Sequence, residues 1–82
     1  MHEAPPSDWN YTERFDALGK GCGEVLLDLK LTLGALAPGT VVLAITDDAG
    51  APVEIPAWCG LTGHALLDAA HPYYLIERRA GP

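Results

Sequence analysis

The stretch TVVLAIT, residues 40–46, does most to limit what this chain can fold into. It is almost wholly apolar and β-branched, so it reads as a central strand buried on both sides or nearly so. Such a strand needs neighbours along both edges and cover over its faces. The chain has 82 residues with which to supply them. That is room for one domain, and a domain this small buries only about 60% of the surface its unfolded chain exposes. The hydrophobic fraction is 49% and falls in short blocks, which fits a compact α/β or α+β domain rather than a disordered chain.

The flanking segments provide the neighbours. Residues 11–18 (YTERFDAL) alternate in polarity and read as a short strand, broken by Gly19-Lys20-Gly21. From 23 to 36 the period becomes helical. Val25, Leu26, Leu29, Leu33 and Leu36 form one stripe, and Pro38-Gly39 ends the helix. Leu27 and Leu31 fall off that stripe, one turn apart, where they either touch the sheet edge or form a docking patch. After the turn at Asp47-Asp48 and Gly50, residues 51–63 carry a shorter helix, with Pro56 tolerable only in its first turn. Residues 64–70 and 73–79 read as strands joined in a hairpin around His71-Pro72.

The order is therefore β-α-β-α-β-β. With right-handed crossovers between parallel neighbours, it predicts an α/β two-layer sandwich: a four-stranded mixed sheet with two helices on one face. Residues 1–10 read as a flexible leader and 11–82 as a single domain. Trp9 of the leader is expected to cover a sheet edge rather than to bind a ligand.

Charge narrows the partners. The formal net charge is −6, with only five Lys and Arg. An acidic surface repels phosphate backbones and anionic lipid heads. It favours a protein partner with a basic patch over direct contact with nucleic acid. No apolar run is long enough to span a bilayer. Residues 1–10 (MHEAPPSDWN) lack the apolar segment of a signal peptide. Two cysteines make no disulfide framework. The expected compartment is the cytoplasm, where thiols stay reduced.

The chemistry centres on GKGCGEVLLDL, residues 19–29. Cys22 lies between two glycines at or next to the N-cap of the first helix. The opening N–H groups of a helix have no internal partner and carry partial positive charge, so a thiolate placed there is stabilised. Gly21 and Gly23 remove side chains that would shield it, and Glu24 in the first turn suits the helix dipole. That pattern fits a nucleophile or a carrier of sulfur. The helical wheel also turns Cys22 toward the apolar stripe, where it would pack as a small hydrophobe.

These residues resemble the TusA/SirA-like sulfur-carrier proteins, whose mark is L-D-x-x-G-x-x-C-P-x-P with the cysteine opening the first helix. Asp16, Gly19 and Cys22 hold that spacing. Pro38-Gly39, Asp47-Asp48 and Ile55-Pro56-Ala57-Trp58-Cys59 match the family's later P-G, D-D and I-P-x-aromatic-C, and residues 73–79 match its last strand. The resemblance implies the two-layer fold already reached. It also implies that Cys22 accepts sulfane sulfur as a persulfide and relays it. The donor would be a cysteine desulfurase, a rhodanese or a similar protein, the acceptor another protein, and no cofactor is called for.

This chain departs from the pattern in its setting. Gly23 and Val25 stand where the family has its two prolines. With Gly23 expected at the first helical position, its loop should be looser than the family's. The basic residues often found along the first helix are reduced to Lys30, and Lys20-Gly21 puts a small residue before the cysteine. A divergent carrier with its own partner fits these changes. Asp16, Gly19, Gly21, Gly23 and Glu24 are the expected supports of Cys22.

The alternative is a non-catalytic interaction module docking through Leu27 and Leu31, or a thiol-redox regulator. A metal centre on Cys22, Cys59, His64 and His71 lacks ligand spacing. Cys59, between Trp58 and Leu61, reads as a packing residue, and Glu24 with Asp28 as a solvated acidic face.

Overall fold

The computed structural model describes residues 4–79, and at Cys22 the backbone alone. Residues 1–3 of the expected leader and 80–82 of the expected domain lie outside the described residues. The elements are β1 (Glu13–Asp16), α1 (Cys22–Gly34), β2 (Val41–Ile45), α2 (Ala51–Thr62), β3 (Ala65–Ala70) and β4 (Tyr73–Glu77). They form one sheet in the order β1-β2-β4-β3. β1 runs parallel to β2, and the other pairs are antiparallel. This is the expected α/β two-layer sandwich with its mixed sheet.

β2 sits at the centre as its composition requires. Val42, Leu43, Ala44, Ile45 and Thr46 are all buried. Val42 and Ala44 join Val25, Leu29 and Leu33 of α1, Ala51, Ile55 and Cys59 of α2, and Tyr74 and Ile76 of β4 in the main core. The α1 stripe therefore packs as its spacing predicts, with Leu26 and Leu36 at its margins. Full burial of a leucine such as Leu29 or Leu33 stabilises the fold by roughly 1.5–3 kcal/mol.

The opposite face of the sheet holds a second cluster of Leu43, Ile45 and Tyr73, and Trp9 packs against it. The expectation that Trp9 covers a sheet edge is corrected here: it covers a face. The indole Nε1 donates to Asp68 Oδ2 of β3 at 3.1 Å, so the side chain is held at both its apolar and polar ends. A two-layer sandwich leaves one sheet face without helices, and this one carries buried aliphatics that need cover.

Two further differences have local causes. β1 is shorter than residues 11–18 because the Asp16 carboxylate accepts the Leu18 N–H at 3.1 Å and turns the chain. Pro56 lies in the second turn of α2, not the first, because the helix begins at Ala51 with Pro52 also near its start. Proline at 56 leaves only the Pro52 carbonyl without its helical donor. Both prolines are exposed, so water can take that place. At the far end of α1, Arg78 Nε donates to the Leu33 carbonyl at 3.1 Å and ties β4 to the helix terminus.

Replacing Trp9 by alanine uncovers the second cluster and removes the bond to Asp68. The expected loss is about 1–3 kcal/mol of stability, read from urea unfolding. An unchanged midpoint would mean that the face does not depend on Trp9.

Candidate functional site

The site is built at the end of the sheet where β1 and β2 both finish. Ala17 is fully buried, and its N–H donates to the Ile45 carbonyl at 2.8 Å, so the chain leaves β1 still attached to β2. Gly19 then takes φ +81°, a left-handed conformation that costs a side-chain-bearing residue about 1–2 kcal/mol. That geometry aims its N–H at Asp47 Oδ1, 3.1 Å away, in the loop after β2. Asp48 in turn accepts the Gly50 N–H at 2.9 Å and shapes the entry to α2.

Gly21 is the N-cap of α1, extended at φ −73° and ψ 158°, with no side chain to cap the helix. Cys22 is therefore the first helical residue, next to the N-cap. The first helical hydrogen bond runs from the Val25 N–H to the Gly21 carbonyl at 3.0 Å. The N–H groups of Cys22, Gly23 and Glu24 lie ahead of it and have no acceptor within the helix, so this end carries partial positive charge. Gly23 is the second helical residue, not the first, because the helix starts one residue earlier than expected. Where the Cys22 thiol points lies outside the described atoms.

Lys20 and the two acids of α1 form a group that sequence reading missed. Lys20 Nζ lies 2.9 Å from Asp28 Oδ2 and 3.9 Å from Glu24 Oε2. The hydrogen bond to Asp28, with that residue's charge, raises the Lys20 pKa above its ordinary value. Asp28 is thus the close partner of a lysine, while Glu24, its side chain 61% exposed, keeps the solvated position expected of it. The four-residue spacing of positions 20, 24 and 28 was the available signal, obscured because Lys20 precedes the helix. Asp47 as the anchor of Gly19 was also missed, since nothing in a D-D turn says which loop it will hold.

The description Sulfurtransferase TusA matches residues 13–77, from the start of β1 to the end of β4. The chain belongs to the TusA sulfurtransferase family. Two Neisseria meningitidis proteins, from serogroups A and B, have names that propose a sulfur-carrier role. Each is 37% identical to it over 59 residues, covering 72% of this chain and 80% of the relative.

Against the TusA pattern, the expected supports fall into two groups. Asp16, Gly19 and Gly21 shape the turn, while Gly23 and Glu24 form the first turn of the helix behind Cys22. The other candidates are not gathered with them. Cys59 is only 4% exposed, on the core side of α2, and burial pushes its thiol up to about 11. His64 precedes β3 at the opposite end of the sheet, where its Nδ1 accepts the Arg79 N–H at 3.1 Å. Burial, and then the charge of Arg78, lower its pKa. His71 is in the β3–β4 hairpin, at the same end of the sheet as the site, but its Nδ1 lies 2.5 Å from the Tyr74 hydroxyl. Leu27 and Leu31 do not reach the sheet edge: they are 58% and 64% exposed, on the side of α1 away from the core.

Two outcomes follow. Gly23 has no positive φ, and apart from its chain neighbours and the adjoining helix backbone no atom lies within 4 Å of where a Cβ would stand. Its N–H has no helical acceptor, and α2 already carries proline at this same second position. Gly23→Pro should keep the fold and add about 0.4–1 kcal/mol in thermal or urea unfolding; a destabilised variant would contradict this backbone. At pH 8, Cys59 should resist alkylation in the folded protein and react once it is unfolded, which peptide mass mapping would read.

Proposed function

We propose that this protein is a sulfur carrier that accepts sulfane sulfur on Cys22 as a persulfide and passes it to an acceptor protein. The observation that carries this reading is the family match through residues 13–77, with Cys22 as the first residue of α1. The Cys22 thiolate attacks the terminal sulfur of a donor persulfide. The donor's S–S bond breaks, the donor leaves as a thiolate, and Cys22 holds the new S–S bond. An acceptor thiolate repeats the exchange, and no net oxidation occurs. The unpartnered N–H groups at the start of α1 favour the anionic forms in both steps. Gly21 and Gly23 leave the approach open to two different proteins in turn.

A protein donor, such as a cysteine desulfurase or a rhodanese, and a protein acceptor suit the surface. The net charge is −6, and of the two lysines near α1, Lys20 is paired with Asp28. Direct nucleic-acid binding is not expected; tight, salt-sensitive RNA binding would contradict this part. The exposed Leu27 and Leu31 favour α1 as the face that meets the partner. They also support the second reading, an interaction module that docks without transferring sulfur.

The test is incubation with a sulfane-sulfur donor, inorganic polysulfide or a desulfurase with cysteine, followed by peptide mass mapping. One added sulfur on the Cys22 peptide, absent in Cys22→Ala, is the expected result. Sulfur retained by Cys22→Ala would refute the assignment, and no uptake by the native protein would favour the interaction module.

A further inference from the structure

Cys22 stands between two glycines, and apart from chain neighbours and the adjoining helix backbone no atom lies within 4 Å of where a Cβ on Gly21 or Gly23 would be. Two glycines flanking one residue leave the backbone there permissive in conformation. The tethers from Asp16 to the Leu18 N–H and from Asp47 to the Gly19 N–H both act upstream of it. The contact from Lys20 to Asp28 starts before the glycine pair and ends beyond it, spanning eight residues.

We propose that Lys20 is the positioning residue of the sulfur site: its ammonium, held by Asp28, closes a noncovalent ring over residues 21–23 and fixes the backbone that presents Cys22. The proposal rests on the sulfur-carrier reading for its purpose, but not for its geometry. Asp28 at 2.9 Å is the main partner, and Glu24 at 3.9 Å is secondary. Both ends of the main contact are half-buried, with side chains 40% and 32% exposed, so the ring is not a fully solvated surface pair. It does by a side-chain bridge what proline after the cysteine would do by covalent stiffness.

The two ends of the bridge can be told apart. Lys20→Gln opens the ring and leaves Glu24 and Asp28 uncompensated beside the helix mouth, which disfavours an anion on Cys22. Asp28→Asn opens the same ring but removes a negative charge. Backbone effects should therefore agree and chemical effects should differ.

The experiment measures amide hydrogen exchange in Lys20→Gln, Asp28→Asn and Lys20→Arg, with Cys22 alkylation rates at neutral pH. Opening the ring should speed exchange at residue 20 and at Val25 by about two- to fivefold, with arginine restoring protection. Alkylation should slow by about two- to threefold in Lys20→Gln only, and less at high salt. Unchanged exchange in both ring-opening variants would overturn the proposal. So would faster exchange spread evenly over β2 and β4, because that is global loosening. Failure of the native protein to take up sulfur would remove the carrier reading while leaving the exchange result intact.

Discussion

Everything in this fold hangs on β2 being buried on both faces. Its inward side chains, Val42 and Ala44, anchor the layer of α1 and α2. Its outward ones, Leu43 and Ile45, require the indole of Trp9 from the leader. The same strand holds the β1–α1 loop: the Ile45 carbonyl accepts the Ala17 N–H, and Asp47, just past the strand end, accepts the Gly19 N–H. The most deeply packed element is thus one or two residues away from the turn that carries Cys22. A rigid support of this kind suits the reactive group proposed at Cys22.

The electrostatics of the site balance two opposed tendencies. The chain is acidic overall, and Asp16, Asp47, Glu24 and Asp28 all lie around the β1–α1 turn. An anion at Cys22 is supported by the N-terminus of α1, but only across the first turn, where the dipole acts. Lys20 engages the two acids of α1 and keeps their charge from standing alone. The chain as a whole stays acidic, with a formal net charge of −6, which is the charge basis for the protein partner proposed above. Leu27 and Leu31 are exposed one turn apart on α1, the apolar contact proposed for that partner.

Patterns confined to one element were legible in the sequence. The burial of β2 followed from its β-branched run, and the packing of Val25, Leu29 and Leu33 from their period. The start of α1 beside Cys22 followed from the glycines around it. Relations between distant segments were less accessible. Trp9 was expected at an edge because the sequence does not say which sheet face lacks helices. Pro56 was expected in a first turn because an interior proline costs a helical hydrogen bond; here the carbonyl that loses its donor belongs to an exposed turn. The Lys20–Asp28 contact and the Asp47 anchor join groups whose approach depends on the loop's path, set by the positive φ of Gly19. The candidate residues were proposed from spacing, whereas the bonds around them needed the fold.

The central claim is that sulfur is carried at the mouth of α1, on a thiol served by that helix's free N–H groups. It is tested most directly by comparing amide spectra of the isotope-labelled protein before and after loading with sulfane sulfur. The account predicts shifts concentrated at residues 19–25 and at the Asp47 loop, with α2 and the far strand ends unmoved. Shifts centred on Cys59 and α2, or a loaded protein whose residues 19–25 are unchanged, would contradict it.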